Sequence, residues 1–173
     1  MGTLDDLKNR RSIRSYKEEQ IRDSELDAVL EAGAYAPSGM GQQSAVMVAV
    51  QNKDVIAALE RLNAAVIGDP NAHPFYGAPT VVNVLVDNTK CTPVENGSLV
   101  IGNMLNAAHA AGLGSIYIYR AREVFESPEG QELLKTWGLN GNYIGVGHVL
   151  LGYAAGDPPQ AAPRKERYSI KIC

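Results

Sequence analysis

Four short runs of apolar, mostly β-branched residues alternate with segments of helical periodicity, and this alternation limits the fold more than any other feature. The runs cover residues 45–50, 80–86, 116–119 and 146–153. Strands that are apolar throughout are typical of a sheet that is covered on both faces. The sequence therefore predicts an α/β fold with three layers, in which helices flank a central sheet.

Helices are predicted between these runs from start signals and apolar spacing. We expect them over residues 3 to about 10, 24–34 and 94–111, and after Asp54 and Ser127. Short polar side chains at helix starts accept hydrogen bonds from free backbone N–H groups. The expected caps are Thr3, Ser24 paired with Asp27, Asp54 and Ser127. The apolar helix faces are expected to include Val66 and Leu99.

Length, charge and cysteine content predict a single-domain cytoplasmic protein. Its 173 residues suit one domain over residues 1–173, and a formal net charge of -3 argues against a nucleic-acid partner. Cys91 and Cys173 do not form a disulfide framework, and no apolar stretch is long enough to cross a membrane. We therefore expect a cytoplasmic protein without nucleic-acid or membrane partners.

The last segment, residues 155–173, contains three prolines and is predicted to be largely extended. Its apolar residues Tyr168, Ile170 and Ile172 have few ways to become buried within their own subunit. We expect this tail to reach a partner subunit and to form an obligate dimer.

Two basic clusters stand near opposite ends of the chain. The first contains Arg10, Arg11, Ser12 and Arg14, and the second begins with Arg164 and Lys165. In an extended backbone, residues 10, 12 and 14 project to the same side. Guanidinium groups with a hydroxyl between them match the several acceptor oxygens of a phosphate. The clusters therefore predict a small phosphorylated ligand.

A third segment, residues 36–43, lies between a predicted helix and the first strand. Pro37, Ser38 and Gly39 favour a tight, irregular path on which the backbone can approach a flat ligand closely. An ordinary connecting loop would explain the proline and glycines, but not the pair Gln42-Gln43.

Signals for other sites are weak. The chain has no P-loop motif, and its three histidines lack metal-ligand spacing. His109 and His148 are expected to be hydrogen-bonded packing residues. Cys91 lies in a predicted loop, and its spacing gives no argument for a Cys–His pair.

Together these motifs make the chain resemble the FMN-dependent nitroreductase family over nearly its whole length. The motifs are Arg10-Arg11-Ser12-Ile13-Arg14, Ala36-Pro37-Ser38-Gly39, Ala78-Pro79-Thr80, the helix end at residues 107–114, and Pro163-Arg164-Lys165. The resemblance implies a mixed sheet flanked by helices and a homodimer with flavin sites at the subunit interface.

The resemblance also implies roles for individual residues. The two basic motifs match the family's positions for the FMN phosphate and ribityl chain. Their residues are Arg10, Arg11, Ser12, Arg14, Arg164 and Lys165. Pro37, Ser38 and Gly39 match the loop against the isoalloxazine, which the other subunit generally supplies. Ile118, Tyr119 and Arg120 fall where backbone groups approach the flavin ring. Asn63 and Asn71 lie near a region that supplies a further flavin contact in some members.

The implied activity is the reduction of nitroaromatic or quinone acceptors by NADH or NADPH, with the hydride chemistry carried by FMN. We therefore assign no catalytic acid, base or nucleophile. Two alternatives are another flavin chemistry on the same fold, such as reductive dehalogenation or ene reduction, and a non-catalytic FMN-binding or storage protein.

Overall fold

A computed structural model of the protein describes residues 2–165 and 169–172. Its strands are β1 (Ala45–Val50), β2 (Thr80–Asp87), β3 (Gly114–Ile118) and β4 (Tyr143–Gly152). Its α-helices are α1 (Thr3–Asn9), α2 (Asp23–Ala34), α3 (Lys53–Ile67), α4 (Pro93–Ala110), α5 (Ala121–Glu126) and α6 (Pro128–Thr136). No helix in the described ranges is long and apolar enough to cross a membrane.

The four strands form one sheet in the order β1-β2-β4-β3, and each neighbouring pair is antiparallel. A parallel component comes from a single bridge, in which Ser12 pairs with Ser115 of β3. One cluster of buried side chains fills the face covered by α3, α5 and α6. A second cluster fills the face covered by α2 and α4. The predicted three-layer fold, with helices flanking the sheet, is therefore confirmed.

Strand β2 contributes apolar side chains to the buried clusters on both faces of the sheet. Its side chains alternate between the two clusters, with Val81 and Leu85 in one and Val82, Val84 and Val86 in the other. All five are fully buried. Burying each such side chain stabilises the folded protein by roughly 1.5–3 kcal/mol relative to leaving it exposed. The central strand therefore anchors both layers.

Three of the predicted helix caps are wrong. Gly2, rather than Thr3, precedes α1. Helix α2 begins one residue earlier than predicted, and the N–H of Arg22 donates to the Glu25 carboxylate over 2.9 Å. Helix α3 is capped by Asn52, which accepts from the N–H groups of residues 54 and 55. Several cap-type residues stand close together at these starts, so local chemistry does not select one.

The cap at Ser127 is confirmed, because its hydroxyl accepts from the Gly130 N–H over 3.1 Å. The apolar-face assignments of Val66 and Leu99 are wrong, since these side chains are 38% and 47% exposed. Helix α5, which was not predicted from the sequence, has six residues, of which Ala121, Val124 and Phe125 are buried. A helix of that length is marginal alone and depends on packing against the sheet.

The N-terminal segment and the tail run along the end of the sheet. Ile13 is buried and donates its N–H to the Ser115 carbonyl over 3.0 Å, while the Tyr16 hydroxyl donates to the Ile13 carbonyl. The Ala155 N–H donates to the Ser15 carbonyl, after which residues 156–165 are exposed. In the tail, Ile170 and Ile172 are 80% and 94% exposed, and Tyr168 lies outside the described residues.

Candidate functional site

The basic segment, residues 10–14, passes from the end of α1 onto the edge of β3. Ile13 points into the core, whereas Ser12 is half-buried and Arg14 is exposed. Nη1 of Arg10 is buried and has no hydrogen-bond partner within the described residues. Burial, and to a smaller extent the charge of Arg11, lowers the pKa of Arg10. Buried guanidinium nitrogens are usually paired, so an unpartnered one is suited to an anionic ligand.

The two basic clusters meet in a cavity of about 650 Å³, lined by Leu7, Lys8, Arg11, Ala161, Ala162, Pro163 and Arg164. Nη1 of Arg11 donates to the carbonyl groups of Lys8 and Arg10 over 2.8 and 2.7 Å. Part of this guanidinium thus satisfies free carbonyl groups at the end of α1. Lys165, the next residue of the tail, is exposed.

A second cavity of about 290 Å³ lies beside the first part of the tail, and Ser12, Arg14, Gly156, Asp157 and Pro159 are among its lining residues. Within the described ranges, no ion pair involves any arginine of the basic segment or Arg164. The folded chain therefore concentrates positive charge that its described carboxylates do not neutralise. Such a surface can bind a phosphate or another anion.

The 36–43 loop is fastened to the start of α4 by a buried asparagine. The Asn96 side chain accepts from the Gly39 N–H over 2.8 Å and donates to the Ser44 hydroxyl over 3.0 Å. Its Nδ2 also donates to the Cys91 carbonyl over 3.1 Å. Gly39 has no room for a Cβ atom, because that atom would collide with the Thr92 hydroxyl.

Only Gln42 of the glutamine pair is explained by a side-chain hydrogen bond among the described residues. The Gln42 side chain accepts from the Cys91 N–H over 3.1 Å, and the Gln43 N–H donates to the Ser38 hydroxyl over 3.0 Å. Pro37 and Ser38 line a cavity of about 130 Å³ next to Asn96. The loop therefore has a defined path and presents its backbone beside a small cavity.

The basic segment and the 36–43 loop lie at opposite ends of the sheet. Ser115, the partner of Ser12, pairs with Leu151 of β4, which in turn pairs with Thr80 at the start of β2. The carbonyl of Ser44, just beyond the loop, accepts from the Asp87 N–H at the other end of β2. One folded chain therefore does not bring these two groups of candidate residues together.

The third group of candidate residues follows β3. This edge strand ends level with the midpoint of β2, because Ile118 pairs with His148 and His148 pairs with Asn83. Ile118 is buried and pairs with His148, Tyr119 is 63% exposed, and Arg120 begins the turn into α5. The carboxamide of Asn63 bonds to both Tyr119 and Arg120, a contact that the sequence analysis did not identify. Asn71 instead lies in an exposed turn, where its N–H donates to the Asp69 carboxylate.

One of the two histidine assignments is confirmed. His148 is fully buried, and its Nδ1 lies 2.8 Å from Oδ1 of Asn83. Burial, with a smaller contribution from Arg120, lowers the pKa of His148 to about 3. The assignment of His109 is wrong, since its Nε2 is 4.0 Å from Asp6 and has no hydrogen-bond partner within the described part of the chain.

Comparison with known proteins identifies the family. The sequence model described as the Nitroreductase family matches residues 7–79. A nitroreductase with bound FMN from Bacteroides fragilis NCTC 9343 is 30% identical, with a TM-score of 0.86 over 100% of this chain and 99% of its own. The chain belongs to the nitroreductase family.

Two further nitroreductase relatives agree with this. A nitroreductase with bound FMN from Desulfitobacterium hafniense DCB-2 is 28% identical, with a TM-score of 0.87 over 99% of this chain and 100% of its own. A protein of Methanothermobacter thermautotrophicus, provisionally named an NADH dehydrogenase/NAD(P)H nitroreductase, is 27% identical over 168 residues. That match covers 91% of this chain and 80% of the relative. Similarity along nearly the whole length supports a shared architecture rather than one shared motif.

Proposed function

We propose that this nitroreductase-family protein is an FMN-dependent oxidoreductase that uses NADH or NADPH to reduce small acceptors such as nitroaromatics or quinones. The observation that carries the proposal is the basic cluster, whose arginines form no ion pair within the described residues. A terminal phosphate would supply acceptor oxygens for these guanidinium groups. The FMN bound to the Bacteroides fragilis relative, 30% identical to this chain, supports the choice of phosphorylated ligand.

In this proposal the basic segment and the tail hold the phosphate and ribityl chain. The Ser12 hydroxyl supplies a hydrogen-bond donor on a short side chain. Positive charge comes from Arg10, Arg11, Arg14, Arg164 and Lys165. Arg11 and Arg164 line one cavity, while Ser12 and Arg14 line another. Arginine forks give charge-assisted hydrogen bonds that fix orientation as well as affinity.

A complete site needs two subunits. Because Pro37, Ser38 and Gly39 lie at the opposite end of the sheet from the basic segment, we propose that a second copy supplies this loop. The exposed Ile170 and Ile172 support the same conclusion, since a partner surface would cover apolar side chains that their own subunit leaves in water. We therefore propose a homodimer with two equivalent sites.

FMN, when bound, supplies the hydride-transfer chemistry that protein side chains cannot provide. The chain's own contribution is to bind and orient. Backbone groups of residues 118–120 would approach the ring edge, and the loop from the second subunit would limit the access of water. We propose a ping-pong order, in which the oxidised nicotinamide leaves before the acceptor enters the same cleft.

The decisive experiment begins with the absorption spectrum of the purified protein. Denaturation should release flavin that runs as FMN on a chromatogram. Anaerobic addition of NADH or NADPH should bleach the visible absorbance, and a nitroaromatic or quinone should restore it. FAD in the extract, or no flavin uptake after incubation with excess FMN, would contradict the proposal.

The same experiment separates the alternatives. A flavin-loaded protein that neither nicotinamide bleaches would be a binding or storage protein. A protein that is bleached but turns over only halogenated aromatics or enones would carry another flavin chemistry on this fold. Either result would overturn the proposed acceptor class.

A further inference from the structure

Arg120 has an unusual backbone conformation between β3 and α5. Its φ of 78° and ψ of 11° lie in the left-handed region. Non-glycine residues adopt this conformation infrequently, and surrounding contacts must hold them there. The side chain of Asn63, on α3, bonds to the carbonyl of the Tyr119–Arg120 peptide and to the Arg120 side chain, and it can provide that hold.

Both ends of the Asn63 carboxamide are used. Its Nδ2 donates to the Tyr119 carbonyl over 2.9 Å, and its Oδ1 accepts from Nε of Arg120 over 3.0 Å. The side chain is fully buried. Rotating the amide by 180° would place donor against donor and oxygen against oxygen, so only one orientation satisfies both bonds.

This arrangement fixes the direction of one backbone N–H. The peptide between Tyr119 and Arg120 is trans, so the Arg120 N–H points opposite to the Tyr119 carbonyl. The carbonyl faces Asn63, and the N–H therefore faces away from α3. No acceptor for that N–H lies among the residues that the structure describes.

The Arg120 side chain adds a positive charge to this segment. The Arg120 guanidinium forms no ion pair within the described ranges. Its central carbon lies 5.8 Å from the centre of the Tyr119 ring. A backbone N–H that is available to donate can stabilise negative charge that develops on a bound group.

We propose that Asn63 is a positioning residue that aims the Arg120 N–H at the flavin ring. This inference rests on the proposed function, since the ring belongs to the proposed cofactor. Asn63 does not contact the ring itself, because both of its polar ends are already bonded to the Tyr119–Arg120 segment. It acts through that segment, which connects α3 to the end of β3.

The test compares Asn63→Ala with Asn103→Ala as a matched control. Asn103 also donates a side-chain hydrogen bond to a backbone carbonyl, that of Ala32, over 3.0 Å, but on the other face of the sheet. Asn63→Ala should lower FMN affinity by about tenfold, the equivalent of about 1.4 kcal/mol. The midpoint potential at saturating FMN should also move, which a merely structural role would not cause. The Asn103 variant should match the wild type in both measurements.

A second variant separates the two bonds. Asn63→Asp keeps an acceptor for Nε of Arg120 but places an oxygen against the Tyr119 carbonyl. Its FMN affinity should fall at least as far as that of Asn63→Ala, because the carbonyl contact sets the peptide direction. Wild-type affinity and potential in either Asn63 variant would overturn the inference.

Amide hydrogen exchange of the flavin-free protein distinguishes this inference from the proposed function. Exchange at Val124, whose N–H donates to the Arg120 carbonyl over 3.1 Å, should be faster in Asn63→Ala than in the wild type and in Asn103→Ala. A wild-type protein that takes up no FMN would overturn the proposed function. Unchanged exchange at Val124 would instead overturn the anchoring role of Asn63.

Discussion

The carboxamide of Asn96 accepts the backbone N–H of Gly39 over 2.8 Å and so fastens the 36–43 loop to α4. The two residues are 57 positions apart in the sequence. This bond requires a close approach, and a Cβ atom on residue 39 would collide with the Thr92 hydroxyl. The path of the loop therefore depends on a glycine and on a distant asparagine together.

Gly39→Ala is expected to destabilise the fold by about 1–3 kcal/mol, the usual cost of forcing extra volume into a packed site. Thermal unfolding should show a lower Tm, and the protein should retain less FMN because the loop is displaced. Gly102→Ala is the matched control, since no atom lies within 4 Å of the added methyl in the middle of α4. Equal Tm values for the two variants would contradict the packing argument.

The basic clusters predict specific losses of affinity. Arg14→Ala and Arg164→Ala should each weaken FMN binding by about 10- to 150-fold, if each removes one charge-assisted hydrogen bond worth roughly 1.5–3 kcal/mol. Arg14→Lys should recover part of the loss, because an ammonium keeps the charge but lacks the planar fork. Titration of the flavin-free protein, followed by fluorescence quenching, measures the effect.

The control for these arginines is Arg22→Ala. Arg22 pairs with Glu25, and its side chain is 74% exposed. Its removal should leave FMN affinity within about twofold of the wild type. Near-equal affinities for the Arg14, Arg164 and Arg22 variants would refute both phosphate assignments.

The tail is expected to stabilise a dimer. Deleting residues 164–173 should lower both dimer stability and flavin content, because it removes Arg164 along with the apolar end. A double variant with Ile170→Ser and Ile172→Ser keeps Arg164 and should weaken the dimer alone. An obligate interface buries roughly 2,000 Å² or more. Light scattering that shows a folded, flavin-loaded wild-type monomer at micromolar concentration would rule the dimer out.

The buried His148 predicts a dependence of stability on pH. Its pKa is lowered to about 3 in the folded protein, from an ordinary value of 6.5. Below pH 6.5 the unfolded chain binds a proton that the folded chain does not, so the free energy of unfolding falls as pH falls. The loss continues until about pH 3 and contributes at most about 1.4 kcal/mol per pH unit.

Urea unfolding between pH 6 and 4 checks this prediction. His148→Leu should be less stable at pH 7, because Asn83 loses its partner, but its stability should depend less on pH. His73→Gln changes an exposed histidine and should keep the wild-type slope. Parallel slopes for the wild type and His148→Leu would show that His148 does not cause the dependence.

The sequence by itself determined the strands and the flanking layers. β-Branched runs such as residues 80–86 have no alternative to burial on both faces, but burial on both faces does not select their register. Apolar spacing also predicted most residues of α4, and the Ser-Pro-Glu sequence predicted the cap at Ser127. Both signals depend only on residues within one or two helical turns. The motif at residues 10–14 could be recognised from the sequence because alternating residues of an extended segment project to one side, where their side chains can bind the same anion.

Only the tertiary structure decided how the candidate residues are arranged. The contact of Asn63 with Tyr119 and Arg120 joins positions 56 and 57 residues apart, and no local pattern encodes such a pair. The same holds for α5, which depends on packing against β4, and for the separation of the 36–43 loop from the basic segment. Local preferences specify which elements form, but long-range packing and hydrogen bonding set where their side chains meet.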